Sequence, residues 1–225
     1  MIPWEFLDSA KVSGHKKDIS LYRRGNEYSI RIGNAELMNS RVHASEDSLA
    51  ELSCKIIADQ PNQQILIGGL GMGFTLATAL KYSSNDAVIT VAEIVSTVVE
   101  WNRGALADLA DYPLHDSRVT VREIDVAKII KSDNQVYNAI VLDVDNGPDG
   151  LTRYGNDWLY SIDGLNAAYA ALKTAGVLAV WSASPDQAFS KRMQTVGFNV
   201  EEKRIRARGP RGGARHTIWL ALKDS

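Results

Sequence analysis

Gly69, Gly71, Gly73 and Glu93 are the residues whose types and spacing most directly suggest chemistry. The glycines close the run Gln64-Ile65-Leu66-Ile67-Gly68-Gly69-Leu70-Gly71-Met72-Gly73-Phe74, in which an apolar segment gives way to a helical one. Glu93 stands near the end of a second apolar run, Val88 to Ile94, about twenty residues on. Such an order suits a nucleoside ligand. Glycines let the backbone approach the ligand closely, and an acid at the tip of the next strand accepts hydrogen bonds from two ribose hydroxyls. A glycine cluster alone can also serve only a tight strand-to-helix turn. Glu93 at the right distance tips the reading toward ligand binding.

The spacing Gly69-x-Gly71-x-Gly73 is not the G-x-G-x-x-G that seats a pyrophosphate on a helix N-terminus. It is closer to the glycine-rich loop of enzymes that use S-adenosylmethionine-type cofactors, which carry a ribose and no phosphate. Asp125, after a third apolar segment, stands where an acid can accept a hydrogen bond from an adenine amino group. It stands equally well to cap the helix expected over 127–131. A fourth apolar segment ends in Asp143-Val144-Asp145-Asn146-Gly147-Pro148. On extended backbone, residues i and i+2 share a face, so Asp143 and Asp145 together can hold a cationic nucleophile. One of them can take its proton if burial and like charge raise the carboxyl pKa. Asp143 is read as the catalytic acid-base residue. Asp145 is read either as substrate-binding or as a residue that only shapes the turn.

These residues need a scaffold that gathers strand ends, and the remaining sequence has its pattern. Apolar segments at 65–67, 88–93, 119–122, 139–143 and 177–182 alternate with helical segments at 74–82, 95–109, 127–131, 163–173 and 188–196. This βαβ alternation predicts an α/β, Rossmann-like methyltransferase fold: a mostly parallel sheet covered on both faces, with its crevice at the carboxyl ends of the strands. Closing strands at 198–205 and 217–222 predict a C-terminal antiparallel hairpin, which places an antiparallel strand at the end of the sheet. The first sixty residues read differently. Ile19–Tyr22 and Tyr28–Ile32, around Arg24-Gly25-Asn26, predict a β-hairpin. Glu36–Met38 suggests a short strand, and Ser45 followed by Leu49, Leu52, Ile56 and Ile57 suggests a capped amphipathic helix. The expected organisation is a small N-terminal hairpin-and-helix region over 1–60 and a cofactor-binding domain over 61–225.

With 225 residues, 45% hydrophobic and 23% charged, the chain has the composition of a soluble globular protein with a sizeable core. A net charge of −2 gives no global drive toward nucleic acid or membrane. No apolar stretch is long enough to span a bilayer, and the N-terminal residues lack a secretory pattern, so the expected location is cytoplasmic. A single cysteine, Cys54, excludes an internal disulfide and reads as buried and inert. Four scattered histidines make no ligand set, so no metal is expected.

On these residues the chain resembles the spermidine synthases, a family of aminopropyltransferases. The likeness rests on the N-terminal hairpin and helix, Ile67-Gly68-Gly69-Leu70-Gly71-Met72-Gly73, Ala92-Glu93-Ile94, Tyr137-Asn138-Ala139-Ile140-Val141-Leu142-Asp143, Leu159-Tyr160 and Leu172-Lys173-Thr174-Ala175-Gly176-Val177-Leu178. The resemblance implies a small N-terminal β-domain, a methyltransferase-like C-terminal domain and a place in polyamine biosynthesis. It implies aminopropyl transfer from decarboxylated S-adenosylmethionine to a diamine. Glu93 would hold the ribose, Asp125 the adenine amine, and Asp143 would deprotonate the attacking amine.

Three departures bear on the acceptor site. The family's loop reads Gly-Gly-Gly-Asp-Gly-Gly, and its Asp grips the aminopropyl ammonium; here that position is Gly71. The family's Tyr-His pair falls near Glu46-Asp47, and its Asp-x-x-Asp-Pro loop is one residue longer here. Gly71 therefore predicts no large advantage for decarboxylated over carboxylated S-adenosylmethionine, unless Glu36 or Glu46 supplies the missing acid. The alternative reading is S-adenosylmethionine-dependent methyl transfer to an unknown small molecule. A non-catalytic nucleoside-binding protein is a third reading, and a dehydrogenase is disfavoured by the glycine spacing.

His43, Glu46 and Asp47 lie where the family places its acceptor. Glu46 is read as a partner for an acceptor cation, and Asp47 as a helix cap. Trp158, Tyr160 and Trp181 are read as an aromatic wall for a sulfonium, Trp181 also as core. The stretch from Arg206 to His216 reads as a mobile basic loop able to close over an anion, or as a solvated turn. It lacks the aromatic set of an RNA-binding surface, so nucleic acid is not expected. The expected partner is a small amine or other small acceptor, and a homodimer is left open.

Overall fold

The computed structural model describes residues 2–12, 18–144 and 158–224. Four strands, β1 (Glu5–Ala10), β2 (Ile19–Arg24), β3 (Glu27–Ile32) and β4 (Ala35–Asn39), form an antiparallel meander in the order β1-β2-β3-β4. The expected hairpin is β2–β3, turning at Gly25-Asn26. The edge strand β1, with its mixed sequence Glu-Phe-Leu-Asp-Ser-Ala, shows no clear alternation and escapes sequence reading. Helix α1 (Ala44–Ile56) follows.

The chain then alternates through β5 (Gln64–Gly68), α2 (Phe74–Tyr82), β6 (Val88–Ala92), α3 (Ser96–Arg103), β7 (Val119–Arg122), α4 (Val126–Ser132), β8 (Tyr137–Leu142), α5 (Ile162–Ala171), β9 (Leu172–Ser182), α6 (Gln187–Val196), β10 (Phe198–Arg206) and β11 (Arg215–Lys223). The helix expected over 95–109 stops at Arg103, and Gly104 is followed by short 3-10 turns at Ala107–Ala110 and Pro113–His115.

The seven strands of the second sheet run β10-β11-β9-β8-β5-β6-β7. Neighbours from β9 to β7 are parallel, while β11 is antiparallel to both β9 and β10. The C-terminal hairpin is present, but its antiparallel strand lies one place inside the sheet and not at its end. The reason is compositional. In β11, Ile218, Trp219, Leu220 and Ala221 are all buried, whereas β10 carries Glu201, Glu202, Lys203 and Arg204, charges that suit an edge.

Successive strand residues point to opposite faces, and both faces are covered. Ile65, Ile67, Val141, Ala179 and Leu220 join one apolar layer with α1, α2 and α3. Leu66, Ile140, Leu142, Val180 and Trp219 join the other with α4, α5 and α6. Ile19, Leu21 and Ile30 of the small sheet belong to the first layer. The Trp101 indole N–H on α3 donates to the Asp8 carboxylate on β1 at 2.8 Å, tying the small sheet down. Helix α1 packs along α2 and also against β8, β9, β10 and β11.

Ser45, expected to cap α1, lies fully buried inside its first turn. His43 at the cap position makes no side-chain capping bond. The loop joining β10 and β11 supplies an acceptor instead: the Ala44 N–H donates to the Ala207 carbonyl at 3.2 Å. One of the helix's unpaired first-turn donors is thereby satisfied, and the C-terminal hairpin is brought against the start of α1. Among the described residues, no helix is long and apolar enough to cross a membrane.

Candidate active site

The site forms where β5 ends between β6 and β8. The Gly69 N–H donates to the Ala92 carbonyl and the Asp143 N–H to the Gly68 carbonyl, both at 2.9 Å, so the tips of three strands are locked together. Gly69 has φ +86° and a Cβ there would stand 2.4 Å from the Asp143 carbonyl oxygen. Only glycine lets the two tips approach this closely. A cavity of about 170 Å³ opens beside them, with Gly69, Gly71, Glu93, Asp125 and Asp143 on the strand side. Ile30, Ile32, Leu37 and Met38 of the small sheet wall the other side.

Glu93 is 8% exposed, and burial pushes its carboxyl pKa up. Backbone donors oppose that shift: Leu70 N–H donates to Oε2 at 3.0 Å and Val95 N–H to Oε1 at 2.8 Å. The Ile94 and Gly71 N–H groups also favour the charged form, so backbone donors hold the carboxylate where it lines the cavity, a place suited to meeting a vicinal diol. Asp125 lines the cavity and also caps α4, accepting from the Ala127 N–H at 2.9 Å.

A smaller cavity continues along the glycine loop, lined by Gly71, Met38, Asn39, Thr75, Glu46 and Asp143. Two carboxyls therefore share one recess. Burial, and then the charge of Asp143, push the Glu46 pKa up to about 7, with the Ser45 hydroxyl and His43 opposing. Burial pushes Asp143 up to about 6, while the Thr75 hydroxyl, donating to Asp143 Oδ2 at 2.5 Å, opposes it. Glu46 Oε2 accepts from the Ser45 hydroxyl, also at 2.5 Å. At Gly71 a Cβ would meet the Met38 Cε at 2.9 Å, so Met38 fills the space that a side chain at position 71 would need.

The raised Glu46 pKa has a consequence for stability. Between the ordinary glutamate value of 4.5 and about 7, the folded chain holds a proton that the unfolded chain has released. The associated stabilisation is complete below pH 4.5 and lost as pH rises through about 7. Glu46→Gln is therefore expected to melt above the wild type at pH 8 and no higher than it at pH 4. Equal melting shifts at both pH values in calorimetric scans would contradict the raised Glu46 pKa.

The structure thus gathers Gly69, Gly71, Glu93, Asp125, Asp143 and Glu46. Gly73 instead precedes α2 as its N-cap residue. Asp145 lies outside the described residues. Tyr160 lines neither cavity; it is buried in the second apolar layer, and its hydroxyl donates to the Val144 carbonyl at 3.1 Å. The expected aromatic wall is not assembled by the described residues. Trp158 lies under the Lys131 ammonium at 3.9 Å, and Trp181 packs on the first layer beside His216. His43 stacks on Phe74 and pairs with Asp47 at 2.8 Å, while Asp47 also accepts from Thr78 across α1 and α2.

Glu36, exposed on β4, accepts from Ser29 at 2.7 Å and lines neither cavity. Cys54 is fully buried and its thiol is pushed up to about 12 by burial. The described residues contain no cluster of metal-ligating side chains. Sequence reading gave Met38 and Thr75 no part in the site, Ser45 only a capping role and His216 only a place in the basic loop. Each is a common residue in an ordinary local context, and nothing before folding marks it for the site.

No family model matches the chain. It is similar to the polyamine aminopropyltransferase of Saccharolobus solfataricus, 28% identical over 141 residues that cover 63% of this chain and 45% of that protein. The polyamine aminopropyltransferase of Sulfolobus acidocaldarius is 35% identical over 89 residues, 40% of this chain and 29% of its own length. The chain thus spans less than half the length of these curated relatives. The solved spermidine synthase from Thermotoga maritima superposes with a TM-score of 0.76 at 18% identity, covering 97% of this chain and 72% of the other. At that identity the structural likeness is one of fold. By sequence over part of its length and by fold over nearly all of it, the chain is similar to the polyamine aminopropyltransferases, as its motifs suggest.

Proposed function

We propose that this chain is a transferase moving an aminopropyl group from decarboxylated S-adenosylmethionine to a small amine. The observation that carries the reading is the convergence of Glu93 and Asp143 on one cavity, across a loop that must be glycine at position 69. In this reading the Glu93 carboxylate takes the two ribose hydroxyls, Asp125 takes the adenine amine, and apolar Ile94 and Val126 face the base. Asp143 receives the proton of the acceptor amine and holds the nitrogen in line behind the carbon attached to sulfur.

Glu46 bears on the choice between aminopropyl and methyl transfer. Its carboxyl stands with that of Asp143 beside Gly71, where an ammonium is attracted and a methionine carboxylate repelled. Neither cavity has a lysine or arginine among its described lining residues to receive such a carboxylate. The decarboxylated cofactor is therefore expected to bind more tightly than the carboxylated one, where Gly71 alone predicts no large advantage, with Glu46 supplying the missing acid. Calorimetric titration with both forms and with methylthioadenosine decides this, and a preference for the carboxylated form would favour methyl transfer. Glu93→Ala should weaken all three by about 1.5–3 kcal/mol, on the order of 10–150-fold, the scale of hydrogen bonds to a charged group. Unchanged affinity in a folded variant would remove the nucleoside reading.

A further inference from the structure

Aminopropyl transfer, the reading on which this inference rests, must export a proton. A sulfonium and a protonated amine enter with two positive charges; a neutral thioether and a protonated secondary amine leave with one. The acceptor first gives an N–H proton to a carboxylate. Its freed electron pair then forms the N–C bond as the C–S bonding pair passes to sulfur. Asp143 receives that proton and can pass it to Glu46, which shares the recess beside Gly71, but Glu46 must lose it again before the next cycle.

A hydrogen-bonded path leads away from Glu46. The Ser45 hydroxyl is 2.5 Å from Glu46 Oε2 and 2.8 Å from His216 Nδ1. Ser45 is fully buried, so these two partners, and not water, set its bonding. His216, at the start of β11, is partly exposed and meets the Trp181 ring edge-on at 4.7 Å. Ser45 and His216 are 171 residues apart, and the Ala44–Ala207 backbone bond helps to hold their elements together.

We propose that Ser45 and His216 are the proton exit of this site. Glu46 passes its proton to Ser45 Oγ as the Ser45 hydroxyl proton moves to His216 Nδ1. Glu46 returns to its carboxylate, the imidazolium loses its Nε2 proton to water, and exchange with water returns the ring to its Nε2–H tautomer, so that Nδ1 can accept again in the next cycle. The groups around the path permit this. His216 faces Ser45 of α1, Trp181 of β9 and, across the strand pair, Ile205 of β10. Burial, and no neighbouring charge, is what lowers its pKa, so the ring is neutral and able to accept near pH 7. Glu46 faces Asp143 at the end of β8 and Ser45 and His43 at the start of α1.

Nitrogen-15 labelling of the histidines tests the path in ligand-free protein. The His216 ring is expected to report two titration steps, its own and that of Glu46, and the second should vanish in both Ser45→Ala and Glu46→Gln. In turnover assays with a panel of amines, His216→Ala should lower kcat by about 10–100-fold, with cofactor affinity unchanged and activity partly restored by added imidazole. Ser45→Thr, which keeps the hydroxyl, should retain activity that Ser45→Ala loses. A His216 titration indifferent to both substitutions, or a His216→Ala loss that imidazole does not restore, overturns the proton exit while the transferase reading stands. If the wild type turns over no amine, the transferase reading falls and this proposal with it.

Discussion

Asp143→Asn is expected to lower kcat by about 10²–10⁴ while leaving cofactor affinity nearly unchanged. Asparagine keeps the shape of the side chain and can still accept the Thr75 hydroxyl, which lies 2.5 Å from Oδ2 in the wild type. It cannot take a proton. Because Asp143 must be ionised to act as a base, and burial holds its pKa up at about 6, wild-type kcat/KM should rise with pH through that region. The asparagine variant should lose the limb. Turnover at the wild-type rate would make Asp143 a structural acid, and the likeness to spermidine synthases would then describe the fold and not the chemistry.

Gly69→Ala is expected to damage fold and site together. At φ +86° an alanine already sits in a region that costs about 1–2 kcal/mol. Its Cβ would also stand 2.4 Å from the Asp143 carbonyl oxygen, a backbone atom that moves only if the tips of β5 and β8 part. A stability loss of about 2–4 kcal/mol in urea unfolding follows, together with weakened nucleoside binding in the fraction that folds. Gly71→Ala is the control. Its Cβ meets only the flexible end of Met38, at 2.9 Å, so its loss should stay near the backbone term. Equal losses at the two positions would show that the approach of β8 to the loop is not what requires glycine.

The reach of the sequence differs from element to element, for physical reasons. The main sheet is legible because its central strands β5, β8 and β9 carry apolar residues on both faces, and turns or helices separate the strands at short intervals. The same pattern places Gly69, Glu93, Asp125 and Asp143 at strand tips, and parallel strands bring their carboxyl ends to one edge. Helix α3 is over-extended in sequence reading because the apolar residues through Leu109 continue past Gly104, where the backbone leaves the helix for 3-10 turns. The position of β11 inside the sheet is visible only as a contrast between its apolar residues and the charges of β10, and local pattern alone does not order strands.

Tertiary structure decided the acceptor side. Glu46 is an ordinary first-turn acid in sequence; packing of α1 on the sheet puts it in a recess with Asp143 and raises its pKa. Met38 takes the space beside Gly71 because the small sheet folds over the strand tips. Tyr160 is read as an acceptor wall from its chemistry, yet its hydroxyl holds the Val144 carbonyl from within the second apolar layer. Ser45 and His216 meet across 171 residues because the C-terminal hairpin docks on the start of α1. Periodicity and glycine spacing act over a few residues and survive in the sequence. Contacts between distant elements exist only once apolar burial has chosen which faces meet.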